Sequence, residues 1–125
     1  MRLLFAIIIL AMNSATGFGQ MAEFSIKEPV VKFPKSKEGA VLEHEYKFTN
    51  SGKAPLIFTG YSVQCTCTKV VVPKEPIAPG KSGVIKITFD TNGRTFYQDR
   101  VIILNTNTKK KEEKVRFKVY VEPKQ

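Results

Sequence analysis

Three stretches of the chain alternate apolar and polar residues with a period of two. In LEHEYKF, Leu42, His44, Tyr46 and Phe48 fall on one face and Glu43, Glu45 and Lys47 on the other. In IKITF, Ile85, Ile87 and Phe89 oppose Lys86 and Thr88, and in VRFKVYV, Val115, Phe117, Val119 and Val121 oppose Arg116, Lys118 and Tyr120. That period belongs to strands with one face on a core. RVIILN is apolar on both faces, which predicts a strand covered on both sides. Shorter candidates are EFSI, VVKF and PLIFTGYSV, the last interrupted by Gly60, which predicts a bulge. Turn chemistry separates the runs: NSGKAP, the proline-rich PKEPIAPGKSG and DTNGR with its Asn92-Gly93 dipeptide. No segment carries a helical apolar stripe. About seven short antiparallel strands at regular spacing predict an all-β protein, a Greek-key β-sandwich of two sheets.

The N-terminus stands apart from this pattern. Arg2 precedes the unbroken apolar run Leu3 to Met12, and NSATGFG then ends on the small-x-small triplet Gly17-Phe18-Gly19. The layout predicts a signal peptide over residues 1–19 and a sandwich domain over 22–123. A run of ten residues falls short of the ~20 needed to span a membrane, so no span is expected after cleavage. The protein is thus expected to be exported, periplasmic or secreted.

Charge changes the picture less. Without Arg2 the chain holds 19 basic and 11 acidic residues, a net of +8. For an exported chain this disfavours nucleic acid and points to protein or envelope glycan partners, or to anionic lipid headgroups. Most basic residues alternate with apolar ones, as on a solvated sheet face. Lys109-Lys110-Lys111 is followed at once by Glu112-Glu113 and predicts a hairpin tip.

Three motif-bearing stretches occur in a distinctive order. HEYKFTNSGKAPLIF contains His44, Phe48, Asn50, Gly52, Pro55 and Leu56. VQCTCT contains Cys65, Cys67 and Thr68, and PIAPGKSGVIKITFDT contains Pro76, Ile77, Pro79, Gly80, Gly83, Ile85 and Phe89. Together, over about Val41 to Asn107, they resemble the exported bacterial family called domain of unknown function 1573, frequent in Bacteroidetes. The resemblance implies an immunoglobulin-like sandwich, akin to the major-sperm-protein and pilus-chaperone types. It also implies structural roles for Asn50, Gly52, Pro79 and Gly80. The family's activity is not established. Thr66 stands where the family pattern has glycine, Tyr46 replaces a phenylalanine, and NGRTFYQDR lacks a second glycine.

Cys65 and Cys67 are the only cysteines. Export and an even count favour a bridge. Geometry resists it, because residues two apart in a strand lie about 6.6 Å apart and a disulfide wants roughly 3.8 Å between Cβ atoms. The backbone would have to bend at Thr66, a β-branched residue that prefers extension. The readings are two structural thiols, an intramolecular disulfide that is structural or redox-active, a copper or zinc clip completed by His44, or a bridge to a second chain. The first two stand level and the metal clip behind them. His44 facing inward is expected to be a hydrogen-bonded core residue.

Catalytic sets are lacking. His44 is the only histidine, and no elbow or glycine-rich oxyanion loop accompanies Cys65. Glu43 and Glu45 alternate outward rather than pairing across a cleft, and there is no phosphate-binding or dinucleotide motif. The sequence therefore predicts a non-enzymatic, cofactor-free binding module, with a periplasmic redox or copper-binding role for Cys65 and Cys67 as the alternative.

Overall fold

A computed structural model describes residues 20–125; the expected signal peptide over 1–19 lies outside the described residues. The elements among them are all strands: β1 (Phe24–Ile26), β2 (Val30–Lys32), β3 (Ser36–Lys37), β4 (Val41–Asn50), β5 (Phe58–Val63), β6 (Thr68–Val71), β7 (Ser82–Asp90), β8 (Phe96–Thr106) and β9 (Glu112–Glu122). One sheet has the order β1-β4-β7-β6 and the other β2-β9-β8-β5, with β3 also on β9. The result is an immunoglobulin-like β-sandwich.

The alternating runs become the inner faces. Tyr46 and Phe48 of β4, Ile85, Ile87 and Phe89 of β7, and Val115, Phe117, Val119 and Val121 of β9 are all buried. Burying each such side chain stabilises by roughly 1.5–3 kcal/mol. The aromatic members meet across the core: Phe89 and Phe117 have ring centroids 4.9 Å apart, Phe48 and Phe58 5.3 Å. Aromatic pairs tilted in this way add to their area burial. Tyr46, standing for a phenylalanine, donates its hydroxyl to the Arg116 carbonyl at 2.7 Å and so ties the two sheets. Burial pushes this phenol well above the usual tyrosine range.

Three features differ from the expectation of seven antiparallel strands. The N-terminal segment leaves the first sheet after β1 and joins the second, where β2 and β3 run parallel to β9. The short strand β6, hidden between the cysteines and Pro73, makes an edge of the first sheet. In β8, Ile102 and Leu104 are fully buried but Val101 and Ile103 only half so. They lie opposite Arg116 and Lys114 on the outer face, so this strand is covered by a second layer on one side only.

The turns follow their chemistry. Lys81 N–H donates to the Ala78 carbonyl (3.0 Å) across Pro79-Gly80, with Gly80 at φ +79°, the type II arrangement that needs glycine third. The lysine run is the β8–β9 hairpin tip, closed by Lys111 N–H to the Thr108 carbonyl (2.9 Å). The register of β5 on β8 shifts between Phe58 and Gly60, the bulge expected there.

Candidate functional site

The Asn50 side chain is fully buried and has every hydrogen-bonding position filled. Its Oδ1 accepts from Glu23 N–H (3.2 Å) and Gly52 N–H (3.0 Å), and its Nδ2 donates to the carbonyls of Ala54 (2.8 Å) and Ile77 (2.9 Å). The Asn50 carbonyl accepts from Gly80 N–H at 2.7 Å. Asn50, Gly52, Pro79 and Gly80 thus meet in one knot that joins β1, the end of β4 and the Pro-Gly turn. Gly52 is there for space: a Cβ on it would lie 2.1 Å from the Met21 carbonyl oxygen and 2.5 Å from Glu23 N.

The cysteines sit elsewhere, where β5 gives way to β6. The structure brings the sulfurs of Cys65 and Cys67 together, with their Cα atoms 5.2 Å apart, close enough for a disulfide. The chain turns at Thr66, with Thr68 N–H donating to the Cys65 carbonyl (3.2 Å) and Asp90 N–H holding the Cys67 carbonyl (2.9 Å). Pairing with β7 outweighs the extended preference of a threonine. Both cysteines are half-buried, and Cys67 packs on the core.

His44 is not brought to them. Its ring is edge-on to Tyr46 (4.7 Å) and Phe33 (6.2 Å), so it packs among aromatic rings instead of filling a hydrogen-bonded niche. Among the described residues no three His, Cys, Asp or Glu side chains gather as a metal site. One buried polar atom goes unpaired among them, Nε of Arg100, whose Nη2 donates to Gln98.

Closing a three-residue loop constrains the unfolded chain by only about 1–2 kcal/mol. Reductant is accordingly expected to lower Tm by roughly 5–15 °C without unfolding the domain at 25 °C. Thermal melts with and without reductant check this, and a larger drop would mean the turn depends on the bond.

A further feature escaped the sequence reading. The strand β1 covers only the end of β4, from Phe48 to Asn50. Asn50 N–H points toward β7, to the Lys81 carbonyl, while Ser51 N–H points the other way, to Glu23. Main-chain groups alternate sides along an antiparallel strand, so Glu43 and Glu45 turn their N–H and C=O to the side that β1 has left. Next to that open edge a groove of about 740 Å³ runs from Ser25, Lys27 and Glu28 across residues 44–49 of β4 to Ser82, Gly83 and Val84 of β7. No sequence signal marks it, because it depends on where β1 departs.

The sandwich and its knot define an immunoglobulin-like domain. The chain belongs to the family described as protein of unknown function (DUF1573), whose model matches residues 24–121. A crystal structure of a protein of unknown function from Porphyromonas gingivalis W83 superposes with a TM-score of 0.71 at 15% identity, over 85% of this chain and 50% of that one. The chain thus spans half the length of that protein. The PapD-like domain 7 of human CEP192 matches at TM-score 0.54 and 12% identity, over 86% of this chain and 87% of that one. The VesB protease of Vibrio cholerae matches at 0.59 and 13%, over 82% of this chain but only 32% of the protease. At these identities the likeness is one of fold. No curated protein matches.

Proposed function

We propose that this is a non-catalytic interaction module, exported to the bacterial cell envelope, that holds an extended polypeptide segment along the open edge of β4. The observation that carries the reading is that the outward main-chain groups of Glu43 and Glu45 meet no strand among the described residues, beside a groove. Main-chain donors and acceptors in strand register are complemented best by another strand. The flanks carry Lys27 and Lys47 against Glu28 and Glu45, a mixed rim suited to a polar segment. The separation of His44, which packs on Phe33 and Tyr46, from the cysteines speaks against a Cys–His catalytic pair. The apolar run behind Arg2 supports export.

A displayed peptide library provides the test. Peptides selected on the protein are expected to slow amide exchange at Glu43 and Glu45. Glu45→Pro removes an outward N–H without breaking the pairing to β7, and binding should fall at least ten-fold while the fold persists. Binders that leave those amides exchanging freely would refute the edge, and turnover on a broad substrate panel would refute the module.

A further inference from the structure

The outer face of the second sheet gathers features that neither the core nor the β4 edge uses. Along β9, Lys114, Arg116, Lys118 and Tyr120 alternate with the buried Val115, Phe117, Val119 and Val121. They form a row about 20 Å long at two-residue steps of about 6.6 Å. At its end Tyr97 of β8 pairs with Tyr120 across the strands, ring centroids 4.9 Å apart, and Tyr97 is 83% exposed. Phe96, next to it in the chain, also reaches Tyr120, at 6.4 Å.

Consecutive residues of a regular strand point to opposite faces. Phe96 lies opposite Val121, whose side chain is buried in the core, yet Phe96 itself is 57% exposed. Its backbone takes φ +66°, a conformation unfavourable for a bulky residue. The strained position places a second aromatic ring on the surface. Strain of this kind marks places where function constrains the backbone.

The charges beside these rings are unevenly matched. Lys32 of β2 lies beside Lys118 of β9 on the parallel pair, while Asp99 of β8, on the other side of Lys118, is engaged by Arg116; neighbouring like charges repel. Two other cations of the face are satisfied: Arg116 by Asp99, and Lys35 by Glu122 at 2.9 Å. Lys32, Lys114 and Lys118 form no ion pair among the described residues. An anion seated between Lys32 and Lys118 would relieve their repulsion.

We infer that this face binds an acidic polysaccharide, one of whose sugar rings stacks on Tyr97, held edge-on to Tyr120 beneath Lys35, and whose carboxylate or sulfate groups sit between Lys32 and Lys118. The two chemistries lie in line along one strand, as they do along a charged glycan chain. Lys35 and Lys118 lie beside the tyrosines, and charged residues are depleted from the centres of protein interfaces. This surface is independent of the β4 edge.

The test is binding of the purified protein to polygalacturonate and to chondroitin sulfate, with neutral dextran, polyglutamate and oligo-dT as comparisons. The expected result is binding to at least one acidic glycan, weakened ten-fold or more by Tyr97→Ala with Tm unchanged. Lys118→Gln should weaken it and flatten its salt dependence. Lys69→Gln, the same charge change on the other sheet, should leave it intact. The inference is overturned by no glycan binding, by equal loss in Lys69→Gln, by indifference to Tyr97→Ala, or by polyglutamate or oligo-dT binding as well as the glycans.

Discussion

Replacing Asn50 by alanine is expected to destabilise the domain by about 4–5 kcal/mol, enough to deplete the folded protein in a cell. The carboxamide fills four positions at once, on Glu23, Gly52, Ala54 and Ile77. Each buried group left without a partner costs roughly 1–3 kcal/mol, although entering water and relaxation reduce the sum. Domains of this size hold about 5–15 kcal/mol in all. Urea denaturation gives the number, and a loss under about 1 kcal/mol would show that the knot is incidental. Asn50→Asp gives a milder variant with a signature of its own. It keeps both acceptors but turns a carboxylate oxygen toward two carbonyls, which raises the folded-state pKa. A raised carboxyl pKa destabilises at pH above it, so the deficit against the parent should be largest at neutral pH and shrink on acidification. A deficit independent of pH would mean that the two carbonyls find other donors.

Much of this knot was legible before the fold was known, as the Asn-x-Gly spacing and the Pro-Gly pair, but only as motif. What joined Asn50 to Glu23 and Ile77 is 27 residues of chain in either direction, a distance that periodicity does not cross. The inner faces of β4, β7 and β9 were legible because alternation is local and a slip of one residue would bury lysines. The strand β6 was not, since Thr68 to Val71 is short and sits between a cysteine turn and a proline. The bend at Thr66 ran against local preference and is set by the Asp90 contact. His44 was placed on the correct face, but its aromatic neighbour Phe33 comes from the segment that changes sheets. That same change of sheet creates the open edge at Glu43 and Glu45, so the candidate site is a product of topology. Phe96 marks the other limit. NGRTFYQDR lacks the family's second glycine, but nothing local says that a phenylalanine takes the positive φ.

Gly52→Ala should have the second largest effect, and for a reason distinct from backbone freedom. Gly80 has a positive φ and open space around its missing Cβ, so alanine there costs about 1–2 kcal/mol of conformational strain. At Gly52 the obstruction is main chain: the added carbon would overlap Met21, Ala22 and Glu23. The overlap is relieved only if that segment lifts. Lifting it releases the bonds from Lys53 N–H to the Met21 carbonyl and from Ser51 N–H to Glu23, and withdraws Glu23 N–H from Asn50. At roughly 1 kcal/mol net per bond, with partial exposure of buried Ala22 and half-buried Phe24, the loss comes to roughly 3–5 kcal/mol. Because the loss is local, amide exchange should accelerate first at Ser25, Thr49, Ser51 and Lys53, while Ile85, Ile87 and Phe117 stay protected. Uniform acceleration would show instead that the N-terminal strand and the sandwich unfold as one unit. With Asn50→Ala the two losses should sum to less than their total, since both release Glu23. Freeing β1 also extends the open edge of β4 from Glu45 to Thr49. If that edge takes strands, Gly52→Ala should self-associate at concentrations where the parent is monodisperse, and Glu45→Pro in the same chain should suppress it.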